Sequence, residues 1–135
     1  MALKKPLTIQ FPNGPILIDS LQWPIVAKGA RSACDNQYEF QAFRRWKASI
    51  TVRQHTDGRA IVYGHYEFST QYPMEEDCDL RDGVHCSAGA DIPLVIRQVA
   101  QALETDAAAS EQEHGDIIAK AMRDCLANMP PKMID

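Results

Sequence analysis

The sequence predicts an α+β fold, an antiparallel β-sheet of about four to six strands with two C-terminal α-helices packed on one face. Three observations carry that expectation. Two alternating strand patterns flank Asp57-Gly58, the strongest short-range hairpin signal. Two amphipathic helical stripes close the chain. A chain of 135 residues with 45% hydrophobic and 24% charged residues suits a single domain spanning 1–135, with one core that needs no staples.

From the N-terminus, Leu7, Ile9 and Phe11 alternate with Thr8 and Gln10 as a short strand with one buried face. Pro12-Asn13-Gly14-Pro15 is a turn, because Asn-Gly supplies positive φ and the prolines withhold ladder donors. Ile16-Leu17-Ile18 then folds back to complete a first small hairpin. Leu21, Trp23 and Ile25 alternate again, but Pro24 restricts that piece to an edge or to irregular structure. Lys28 to Asn36 shows no period and reads as a loop. Alternation through Tyr38, Phe40 and Ala42 leads into the central hairpin, and so long a strand implies a bend or bulge near Phe43-Arg44-Arg45.

The register of the hairpin follows from its faces. A two-residue Asp57-Gly58 loop would set Arg53 against Val62 and Lys47 against Phe68, mixing polar with apolar. A three-residue loop, a type I turn on Thr56-Asp57 with Gly58 left-handed, sets Val52 against Val62, Ala48 against Tyr66 and Trp46 against Phe68. A slip of one residue would turn every side chain to the wrong face, so the hydrophobic match selects the longer loop. One face is then apolar, and the other is polar and partly basic.

Pro73 to Gly83 is polar and acidic and reads as a loop, followed by a short strand over Gly83–Ala88 with Val84, Cys86 and Ala88 on one face. Asp91 has the character of a helix N-cap, with Pro93 tolerated in the first turn. Ile92, Val95, Ile96, Val99, Ala100 and Leu103 follow as one helical stripe, and Thr105–Ala109 is expected to join this helix to the next. Ser110 and Glu113 form a capping box, with Asp116 as an alternative start because Gly115 disfavours the helix interior. Ile117, Ile118, Ala121, Met122, Cys125 and Met129 share the apolar face of this second helix, Asp116 and Lys120 are spaced for an ion pair, and Pro130-Pro131 ends it. Both helices need an apolar surface, and the even face of the hairpin offers one.

Composition narrows the function classes. A net charge of -4 argues against a general polyanion binder. No apolar run is long enough to span a membrane, and none follows Lys4-Lys5 as a signal peptide would require, so a cytoplasmic, non-membrane protein is expected. Cys34, Cys78, Cys86 and Cys125 are then expected as free thiols, although export would allow two pairings among them. The phosphate-binding, dinucleotide-binding and nucleophile-elbow motifs are absent, and no cofactor is expected.

Cys78, His85 and Cys86 are weak metal candidates, since zinc ligands usually come in close pairs and no second pair is present. His85 and Cys86 are neighbours on a strand and point to opposite faces, so they do not make a base and nucleophile. Counted from Asp77, the acidic stretch at Glu75–Asp82 places Gly83 one position late for an EF-hand and Ala88 where Glu should stand.

The polar face of the hairpin is the remaining candidate surface. Arg45, Lys47 and Arg53, with Tyr63 and His65 on the partner strand, combine positive charge with an aromatic plane, as single-strand nucleic-acid or anion binders do. Glu67 dilutes that patch, and Lys, Arg and Thr are ordinary on a solvated sheet face. Ile61 and Tyr63 on the same face, with the apolar N-terminal segment, argue for a homodimer or another protein partner. The expected function is that of a non-catalytic accessory or interaction protein, self-associating through its sheet. Nucleic-acid binding stands second, and a metal protein or enzyme third.

Overall fold

The computed structural model describes residues 4–36, 43–109 and 115–130. Six strands and two helices follow in order: β1 (Pro6–Phe11), β2 (Gly14–Asp19), β3 (Ile25–Asn36), β4 (Phe43–Gln54), β5 (Ala60–Thr70), β6 (Cys78–Cys86), α1 (Ile92–Ala109) and α2 (Gly115–Ala127). β3 to β6 form an antiparallel four-stranded sheet in sequential order, and β1 pairs with β2 as a separate hairpin. The α+β architecture is therefore as expected, with both helices against the larger sheet. Neither described helix is long and apolar enough to cross a membrane.

The central hairpin has the register that its faces require. Val52 lies opposite Val62, Ala48 opposite Tyr66 and Trp46 opposite Phe68. Gly58 has φ 96° and its N–H donates to the His55 carbonyl at 3.0 Å, closing a turn whose central residues are Thr56 and Asp57. The main core forms between this face and the helices. Ile50, Val52, Val62, Tyr66 and Phe68 meet Ile96, Val99 and Leu103 of α1 and Ile118, Ala121 and Cys125 of α2. Burial pushes the Cys125 thiol up to about 11, so at neutral pH it is a small protonated core residue.

Asp91 caps α1, with Oδ1 accepting from the Leu94 N–H at 3.3 Å. The ion pair between Asp116 and Lys120 forms at 3.2 Å. Ser110 and Glu113, like Tyr38, Phe40 and Ala42, lie outside the described residues.

Four expectations are corrected. Lys28–Asn36 is no loop but most of β3, and its lack of period has a local cause. Gly29 faces α2 so closely that a Cβ there would overlap the carbonyl oxygen of Ala121 and the nitrogen of Cys125, so the strand carries small residues in place of large apolar ones. The bulge expected near Phe43–Arg45 is displaced: β4 pairs without a break from Phe43, and the irregularity falls on β3 between Ile25 and Ala27. The loop expected to last until Gly83 ends earlier, because β6 begins at Cys78, and Ala88 lies beyond that strand. Finally, Thr105–Ala109 continues α1, since Ala107 extends its buried stripe one turn past Leu103.

Candidate functional site

The outer face of the sheet, away from the helices, is divided in two. Over its lower half lies the β1–β2 hairpin. Ile9, Ile18 and Trp23 bury Ile61 and form a second small core, with Leu7, Phe11, Ile16 and Tyr63 at its margin. Phe11 sits directly over Gly83 of β6, where a Cβ would meet its ring. Ile61 and Tyr63, whose exposure argued for a dimer, are thus covered from within the chain.

Of the five residues of the basic face, Arg53, Tyr63 and His65 border one cleft of about 210 Å³ with Lys28 and Arg81, while Lys47 and His65 border the cleft beside β3. Arg53 donates through Nε to the Tyr63 hydroxyl at 3.0 Å and through Nη1 to the Trp23 carbonyl at 3.0 Å. Arg53 therefore ties the segment between β2 and β3 to the sheet, and Tyr63 packs at the margin of the second core. Arg45 and Lys47 stand exposed on the open half, with Arg45 5.5 Å from the Phe43 ring. His65 lies between the two halves, yet its neighbours are acidic: Nε2 is 2.9 Å from Asp79 Oδ1 and 3.3 Å from Glu67 Oε1.

Cys78, His85 and Cys86 are not brought together either. Cys78 pairs with Phe68 and Cys86 with Ala60, at opposite ends of β6. Cys78 packs against the main core and Cys86 is buried in it, where burial raises the Cys86 thiol. His85 points to the other face, 5.9 Å from the Trp23 ring.

Two features emerge that the sequence did not announce. The first is the His65, Glu67 and Asp79 group. His65 and Glu67 are two apart on β5 and so share a face, while the register sets Asp79 directly opposite Glu67 and Arg81 opposite His65. Reading β6 as a loop hid that juxtaposition.

The second is the free edge of β3. No described strand pairs with its outer side. From Ala30 to Cys34 the side chains are exposed and, apart from Arg31, small. Arg31 is held by Asp124 of α2 through a two-pronged contact of 2.6 and 3.0 Å, which lowers the Asp124 carboxyl and raises the guanidinium. Asn128 Nδ2 donates to the Lys28 carbonyl at 2.8 Å, tying the end of α2 to the same strand. A shallow cleft flanks β3 on each side. One, of about 320 Å³, is bounded by Ala30, Ser32, Lys47, Ser49, His65 and Glu67. The other, of about 390 Å³, is bounded by Ser32, Ala33, Trp46, Ile117 and Lys120.

The edge at β6 is different. Asp79 and Arg81 point onto its outer face, and the β1–β2 hairpin leans against it. Cover is one of the usual defences of a sheet edge; β3 carries charge in Lys28, Arg31 and Asp35, but no described strand lies beside it on its outer side. The chain matches no protein family model, no curated protein and no solved structure.

Proposed function

We propose that this chain is a non-catalytic interaction protein that self-associates edge to edge through β3. The observation that carries the reading is the contrast between the two sheet edges, with the β1–β2 hairpin leaning on β6 and β3 twelve residues long, small-sided over Ala30–Cys34 and unpaired on its outer side among the described strands. Two copies of β3 related by a two-fold axis would run antiparallel and join two four-stranded sheets into one, with all four helices on the same side.

Directly opposed residues of an antiparallel pair share a face, so the axis must pass through a residue and not between two. Centred on Arg31, the pairing would oppose two guanidinium groups. Centred on Ser32, it sets Ala30 against Cys34 of the second copy, Arg31 against Ala33 and Lys28 against Asn36, with no like charges opposed. Small side chains then meet at the axis and the two clefts flank it.

The nucleic-acid reading has less support, because Arg53 and Tyr63 are engaged in packing and Glu67 and Asp79 flank His65.

Cysteine cross-linking tests the proposal. Ser32→Cys in a Cys34→Ser background is expected to give a covalent dimer on mild oxidation, because opposed Cα atoms about 4.5–5.5 Å apart suit a disulfide. Ala30→Cys is expected to cross-link with Cys34 present and to stop doing so with Cys34→Ser. Light scattering of the unmodified chain should report a dimer. A monomer at high concentration, together with no Ser32→Cys cross-link, would remove the reading.

A further inference from the structure

We infer that His65, Glu67 and Asp79 form a binding site for a divalent transition-metal ion such as zinc or manganese. The inference is independent of self-association and rests on geometry across β5 and β6. One ligand atom from each of the three residues lies within 4.8 Å of the other two. His65 Nε2 is the apex, 3.3 Å from Glu67 Oε1 and 2.9 Å from Asp79 Oδ1. Zinc bonds to nitrogen and oxygen of about 2.0–2.1 Å at tetrahedral angles separate neighbouring ligands by about 3.3 Å. The His65–Glu67 edge already has that length, the His65–Asp79 edge needs an opening of a few tenths of an ångström, and the Glu67–Asp79 edge lies within 4.8 Å.

Charge points the same way. Glu67 and Asp79 are directly opposed across the strand pair, where like charges are destabilising. Arg81 Nε lies 3.4 Å from Asp79 Oδ1 and offsets part of that repulsion. Lys47 is opposite Glu67 in the register of β4, but the ion pair that Glu67 makes among the described residues is with His65. A dication between the carboxylates would neutralise both.

The donor set selects the kind of metal. An imidazole with two carboxylates suits zinc, manganese or similar ions, whereas calcium and magnesium sites are built from oxygen alone. The ligands stand on strands that are paired within the sheet, so little order has to be imposed on binding. His65 and Glu67 also border the cleft of about 320 Å³ beside β3, leaving room for water or an anion at the remaining coordination positions. Cys78 is excluded from the set, because it packs against the core on the opposite face.

Isothermal titration of the chelator-stripped full chain with zinc chloride, and separately with manganese chloride, tests the site. One ion per chain is expected for at least one metal, with a dissociation constant below about 1 mM. His65→Gln and Asp79→Asn should each weaken binding by roughly tenfold or more, as losing a ligand does. Arg81→Gln should tighten it, because the guanidinium competes with the metal for Asp79. That gain separates metal binding at this group from binding elsewhere. A metal-dependent rise in melting temperature, present in the unmodified chain and absent from His65→Gln, gives a second readout. No saturable binding of either metal, or binding that both ligand substitutions leave unchanged, would overturn the inference.

Discussion

The central strands β4 and β5 and the edge strands β3 and β6 belong to one sheet, yet only the central pair declared itself as strand throughout. The difference lies in what each strand packs against. Ile50, Val52, Val62, Tyr66 and Phe68 have a full layer of helix side chains above them, so every second position must be large and apolar. β3 meets α2 at backbone distance, and the inward positions Ala27 and Gly29 are small. β6 lies at the rim, where inward positions include Asp82 and the 37% exposed Val84. Alternation in sequence thus reports the depth of side chain between strand and helix, and strand pairing does not need that depth.

The largest effect expected from a single change falls in the centre. Ile50 is 0% exposed and lies in the main cluster, so Ile50→Ala should cost about 2–5 kcal/mol of unfolding free energy in urea titration. A cost no larger than that of a surface substitution would undo the division between a deep centre and shallow edges.

Gly29→Ala is the corresponding test on the edge. The groups that an added Cβ would overlap are backbone atoms of α2, which cannot rotate aside as a side chain could. The helix must shift as a body, and a loss of about 1–3 kcal/mol is expected, the usual cost of overpacking. Gly64 makes an instructive comparison, since a Cβ there meets side-chain atoms of Leu103 and Val99 and not helix backbone. Equal losses at the two positions would mean that backbone proximity does not explain why β3 carries small residues.

The same physics decides how much could be read in advance. The hairpin register, the left-handed Gly58, the Asp91 cap and the apolar faces of both helices were legible, because each depends on residues near one another in sequence. Hidden were the features set by distant partners. Arg53 looked like an available cation until the carbonyl of Trp23, thirty residues away, was found to accept from it. Tyr63 looked like a stacking plane until the N-terminal hairpin packed beside it. Asp79 looked like one more charge in an acidic loop, and gained meaning only when pairing of β6 set it opposite Glu67. A polar residue on a strand can be assigned to a face from sequence, but whether that face is open depends on a segment elsewhere in the chain.

Asp82 brings the comparison down to one rim position of β6. Its carboxyl is raised above the ordinary value chiefly by burial and further by the charge of Asp106, against the lowering effect of the Gly83 N–H that it accepts at 2.7 Å. The folded chain therefore holds this proton more tightly than the unfolded chain does. Below the carboxylate range both states are protonated and the group is neutral toward stability. As pH rises through the unfolded-state value, the unfolded chain ionises first and stability is lost, and the loss persists at neutral pH. Asp82→Asn keeps an oxygen for the Gly83 N–H and removes the charge. It should raise the melting temperature at pH 7 while leaving it nearly unchanged at pH 3, the smallest of the three effects. An equal rise at both pH values would trace the gain to packing instead, and place Asp82 with the central positions, where shape governs, and not with the rim, where charge does.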